Sequence, residues 1–81
     1  MNVTSKLNEL IDSTASAFPE GVVAHLRSLV NAGELGLALE ELCAYIGEAD
    51  YTLSLSHWKL IEQMGSTLGV DSSWWNALPH A

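Results

Sequence analysis

Eighty-one residues carrying ten acidic and three basic side chains give a formal net charge of −7. A chain of this size forms one domain around a small core, and its charge argues against nucleic acid or an anionic membrane as a direct partner and for a basic protein. The single cysteine, Cys43, excludes an internal disulfide and fits a reducing compartment.

The opening stretch MNVTSKLNELIDS lacks the charged-then-apolar organisation of a secretory leader. No apolar run reaches the roughly 18–20 residues that span a bilayer, so the expectation is a soluble, cytoplasmic protein with one domain over residues 1–81. Apolar residues recur at helical spacing throughout, and no segment alternates convincingly with period two. The fold expected is all-α: a small compact bundle of four helices plus a short C-terminal helix, without repeat, linker or low-complexity tract.

The first helix is predicted over Val3–Ala17, capped by Asn2 or Thr4, with Val3, Leu7, Leu10, Ile11 and Phe18 inward. Its Ser13–Ser16 stretch is weakly helical and predicts an early end. Pro19 suits the first turn of a second helix, and Glu20 complements its positive end. Val22, Val23, Leu26, Leu29 and Val30 share one face, and Asn31-Ala32-Gly33 reads as a stop with Gly33 left-handed. The third helix restarts near Glu34 and runs to Gly47 or Glu48, making an antiparallel or steeply crossed pair with the second. Leu35, Leu39, Leu42, Cys43 and Ile46 lie on its inner side. Gly36 inside it predicts close packing against a neighbouring helix, since mid-helix glycine costs about 1 kcal/mol against alanine. After a loop over 49–53, Ser54 or Ser56 caps a fourth helix to Leu68 with His57, Trp58, Leu60, Ile61, Met64 and Leu68 inward, and Gly69 ends it. Asp71 reads as the N-cap of a last helix, Ser72–Leu78. There Trp74, Trp75 and Leu78 fold back over the bundle, one tryptophan sealing it. Pro79 closes the structured part and leaves His80 in a frayed tail.

Little of this is catalytic. His25, His57 and His80 have no second histidine or cysteine at ligand spacing, so no metal site is expected. Cys43 lies late in an acidic helix, away from the positive environment that activates a thiol, and the serines sit in caps and turns. The chain is read as a non-enzyme without cofactor. Leu68-Gly69-Val70-Asp71-Ser72 resembles the phosphopantetheine attachment motif of acyl carrier proteins, which are also small, acidic and helical. That family places the motif near mid-chain, whereas nine residues follow Ser72 here, and an Asp N-cap explains the segment. An acyl-carrier-like protein remains a remote alternative.

The third helix carries the distinctive pattern. Glu34, Glu41 and Glu48 are seven apart, which at about 3.6 residues per turn keeps them on nearly one line. Ala38 and Tyr45 fall between them, Glu40 flanks the line, and Asp50 and Tyr51 extend it. No lysine or arginine lies within the helix. A solvated face is the ordinary meaning of such a charge run. Exposed tyrosines beside carboxylates are typical of interface anchors. The partner-binding residues expected are therefore Glu34, Glu40, Glu41, Tyr45, Glu48, Asp50 and Tyr51.

With those residues placed, the chain resembles the MafI-type immunity proteins of bacterial polymorphic toxin systems. The likeness is carried by Leu29-Val30-Asn31-Ala32-Gly33-Glu34, then Ala38-Leu39-Glu40 with Leu42-Cys43, then Glu48 and Asp50. Leu53-Ser54, Ile61-Glu62 and Leu68-Gly69-Val70-Asp71 with Trp74 or Trp75 add weaker support. The resemblance spans roughly 26–78, with the run AGExGxALExLC its specific part. It implies a cytosolic antidote that binds and neutralises a cognate secreted toxin domain, often a basic nuclease. It does not say which residues touch the toxin, so the acidic face is an independent expectation. The rival class is an acidic helical adaptor unconnected with any toxin, and the sequence leaves open whether the free protein is a homodimer.

Overall fold

The computed structural model describes residues Met1–Ala81 and is all-helical: α1 (Val3–Thr14), α2 (Glu20–Asn31), α3 (Leu35–Glu48) and α4 (Leu55–Leu68). Its extents are 30 × 28 × 18 Å. The shortest is under two helix diameters of about 10–12 Å each, so every helix keeps one face in the core and another in solvent. No helix is long and apolar enough to cross a membrane.

Asn2 caps α1, its Oδ1 accepting the Ser5 N–H at 3.0 Å. Leu7, Leu10, Ile11 and Thr14 form the buried stripe. The helix ends at Thr14 rather than Ala17. Ser13 donates to Glu9 O and Thr14 to Leu10 O, both at 2.9 Å. Such back-bonding by hydroxyls weakens the helix interior, and Ala15–Ala17 tightens into a 3-10 turn. The same bond satisfies Thr14, which is fully buried. Pro19 is the N-cap of α2 rather than its first helical residue.

Three helices end in the same way. Glu34 N–H donates to Leu29 O and Gly33 N–H to Val30 O, with Gly33 at φ +79°. This two-bond motif satisfies the last carbonyls and needs a left-handed residue. Gly69 plays that part after α4, at φ +72°. After α3 the position is held by Asp50, at φ +52°.

Fifteen buried apolar residues make one core that draws on all four helices, Leu53 and the tail. One expectation about glycine is corrected. A Cβ on Gly36 would meet only a Val70 methyl at ordinary contact distance, so no close helix packing explains it. The close approach is at Gly65, where a Cβ would fall within the Trp75 indole.

The C-terminal segment also differs from expectation. Only Ser72–Trp74 is helical, as a 3-10 turn capped by Asp71, and the chain then turns without forming the helix expected to Leu78. Pro79 does not end the ordered part. Leu53 N–H donates to Pro79 O and Ala81 N–H to Leu53 O, both at 2.9 Å, in a parallel bridge. His80 stacks on Trp58 with ring centroids 4.6 Å apart, and its Nδ1–H donates to Leu78 O. Trp58 is half-buried rather than core, its Nε1–H donating to Trp75 O at 3.0 Å. Trp75 seals the bundle at 3% exposure, while Trp74 stands 41% exposed.

Candidate partner-binding surface

Helix α3 packs most extensively against α2, and that contact decides which of its residues are free. Ala38, expected on the acidic line, is fully buried. The line Glu34–Ala38–Glu41–Tyr45–Glu48 therefore runs along the edge of α3 that faces α2, not down its outer ridge. Glu41 reaches across that seam, and Nε2–H of His25 on α2 donates to its Oε1 at 2.7 Å. Tyr45 and Tyr51 are half-buried and packed on the core rather than fully exposed. Glu34, Glu48 and Asp50 are exposed, and Glu40 is half-exposed on the opposite flank of the helix. Glu41, Tyr45 and Glu48 thus come together on one edge, and Glu40 does not join them.

The charge distribution is uneven. Two of the three cations are engaged by α1: Lys6 with Glu9, and Arg27 of α2 with Asp12. None of Glu34, Glu40, Glu41, Glu48 and Asp50 is bridged to a lysine or arginine. Glu48 sits in the last turn of α3, which holds no basic residue. A helix carries partial negative charge at that end, so helix and carboxylate reinforce one another there.

Beside this end lies a surface groove of about 280 Å³ lined by Ala17, Phe18, Pro19, Val22, Tyr45, Glu48 and Ala49. The 3-10 turn creates it by carrying Phe18 away from α1 and toward α3. Phe18 and Tyr45 meet with centroids 6.2 Å apart and rings tilted by 54°, a favourable aromatic geometry. Apart from Glu48 and the tyrosine hydroxyl, the lining side chains are apolar.

Leu37 was not legible as a surface feature in the sequence. It is 44% exposed, and Glu34, Glu40 and Glu41 are its three- and four-residue neighbours on the helix. The groove was also missed, because Phe18 and Val22 satisfy the core pattern of their own helices.

Elsewhere the site chemistry is sparse. No three His, Cys, Asp or Glu side chains are placed to hold a metal ion. Burial pushes the Cys43 thiol up to about 12, and the nearby Glu40 adds to the rise. A protonated, buried thiol is a poor nucleophile. Asp71 accepts the Ser73 N–H at 2.8 Å, and this bond holds its carboxyl below the usual range. Ser72 begins the short 3-10 turn. Its Oγ accepts a hydrogen bond from Asn76 at 3.4 Å.

No protein-family model, curated protein or solved structure matches the chain.

Proposed function

We propose that the protein is an immunity protein, which binds a cognate secreted toxin domain, a basic nuclease, and occludes its active site with the acidic edge of α3. One observation carries the reading: five carboxylates on and flanking α3 have no lysine or arginine partner, while Lys6 and Arg27 pair with carboxylates of α1. Carboxylates held on a rigid helix would stand in for the phosphates of a nucleic acid over a basic cleft. Leu37 and Tyr45 supply apolar contact beside them, and interface centres combine such anchors with a polar rim. The resemblance of residues 26–78 to MafI-type immunity proteins points the same way.

Recovery of the tagged protein from its native host, or its co-expression with the C-terminal domain encoded upstream, followed by mass spectrometry, tests the proposal. The expected result is stoichiometric capture of a basic domain whose toxicity the protein abolishes. Capture of housekeeping proteins alone, with no toxin gene adjacent, would replace the proposal with the adaptor reading.

A further inference from the structure

We propose that the groove between the 3-10 turn and the carboxyl end of α3 receives a basic segment of the partner, an apolar side chain entering between Phe18, Val22 and Tyr45 and an adjacent arginine resting on Glu48. The inference rests on the partner-binding reading of α3 and adds the chemistry of the segment that docks there.

Three properties of the groove select this occupant. Its volume of about 280 Å³ lies just under the roughly 300–1,000 Å³ of small-molecule sites, so it suits one or two side chains rather than a cofactor. Its floor is apolar and half-exposed, formed by Ala17, Phe18, Val22 and Tyr45. Its rim is negative twice over. Glu48 has no bridging cation, and the last turn of α3 behind it has no basic residue to offset the helix dipole. A second copy of this chain, with net charge −7, would bring like charge to that rim. A basic partner removes the repulsion. Arginine fits better than lysine, because its planar, weakly hydrated guanidinium pairs with a carboxylate and stacks on a ring at once. Tyr45 and Glu48 lie three apart on the same edge and offer both.

The test uses ¹⁵N-labelled full-length protein and two probes, acetyl-Gly-Phe-Arg-Gly-amide and acetyl-Gly-Phe-Glu-Gly-amide, titrated to millimolar concentration. Amide shifts are expected at Phe18, Val22, Tyr45 and Ala49 with the arginine peptide. The glutamate peptide should bind about tenfold more weakly, as reversal of one close charge contact implies. Ala49→Trp fills the groove from an exposed position of ordinary helical backbone and should abolish the response while leaving the unfolding temperature in place. Glu48→Lys should remove the preference between the peptides. Absence of shifts, shifts confined to other surfaces, or equal response to both peptides in the wild-type protein would overturn the inference. These probes contain no toxin. A groove that responds in a protein that captures no toxin therefore keeps this inference and removes the antidote reading, and the reverse result does the opposite.

Discussion

The C-terminal wrap and the carboxyl end of α3 both bring aromatic rings up to a helix, but they leave those rings in different states. In the wrap, Trp75 lies on Gly65, Trp58 donates to the Trp75 carbonyl, and His80 stacks on Trp58. Trp75 is buried and Trp58 half-buried by these contacts, while Trp74 and His80 remain exposed. At α3, Phe18 and Tyr45 meet each other yet border an open groove, and the carboxylates beside them lack lysine or arginine partners. The ring contacts of the wrap lie within the chain, with the buried Trp75 Nε1–H left without a hydrogen-bond partner, whereas α3 leaves apolar and charged atoms to the solvent or to another molecule. Under the proposed function, stability and binding reside in different places, and substitutions should separate them.

Gly65→Ala strikes the wrap hardest. The added methyl occupies the space of the Trp75 indole, and over-packing of this kind typically costs about 1–3 kcal/mol. We expect the upper end, because a rigid ring rather than a flexible chain must move. For a domain of this size that lowers the unfolding temperature by roughly 10–20 °C, read by far-ultraviolet circular dichroism. Partner affinity per folded molecule should be unchanged. A fall in affinity with no loss of stability would break the separation of the two regions.

The converse substitution is the pair Glu41→Lys and Glu48→Lys. It places like charge against a basic partner and should weaken binding on the order of a hundredfold while flattening the salt dependence. The helix itself should gain slightly, by about 0.3–0.5 kcal/mol, because Glu48→Lys complements the negative end of α3. Glu41 also gives up its hydrogen bond to His25, an exposed pair of small worth. Calorimetry beside thermal unfolding decides the matter. Unchanged affinity would take this edge out of the binding surface.

Much of the fold was legible because apolar spacing and caps act locally. Asn2, Ser54, Gly33 and Gly69 do what their residue types imply. The features that escaped the sequence are tertiary. Nothing near Gly65 or Gly36 in sequence says that Trp75 packs on the first while only a methyl of Val70 reaches the second. Likewise, period 3.6 places Ala38 on the acidic line correctly. Only the contact of α3 with α2 turns that line into a seam and leaves Leu37 outside it. The tail was misread because its order comes from Leu53 and Trp58, far away along the chain. At the candidate site, the acidic residues could be read from spacing, whereas the groove needed the 3-10 turn that moves Phe18.

Asp50→Gly sharpens the comparison just beyond the end of α3. Asp50 holds a left-handed backbone at φ +52°, where glycine is free of the Cβ penalty. The substitution should stabilise the protein by about 0.5–1 kcal/mol. It also removes a carboxylate from the candidate surface, so stability should rise as partner affinity falls by a few-fold. Higher affinity, or lower stability in urea unfolding, would contradict this placement of Asp50.

The smallest expected effect lies in the pH response of the two regions. In the wrap, the ionised Asp71 accepts the Ser73 N–H, which lowers its carboxyl in the folded state. A lowered folded value means that the contribution is fully present above the unfolded carboxyl range of about 3.9 and is lost as pH falls through the folded value. Tryptophan emission should therefore report loosening around Trp75 at strongly acidic pH, and Asp71→Asn, which retains an accepting oxygen, should flatten that response. Cys43 in α3 behaves oppositely. Its thiol stands at about 12 when folded, so burial of the neutral form stabilises the fold up to mildly alkaline pH and is lost only as pH rises toward that value. Iodoacetamide should accordingly leave Cys43 unmodified at neutral pH and label it fully in denaturant. Labelling of the native protein at the denatured rate would mean that α3 opens readily, and a helix that opens readily would not serve as a rigid row of carboxylates.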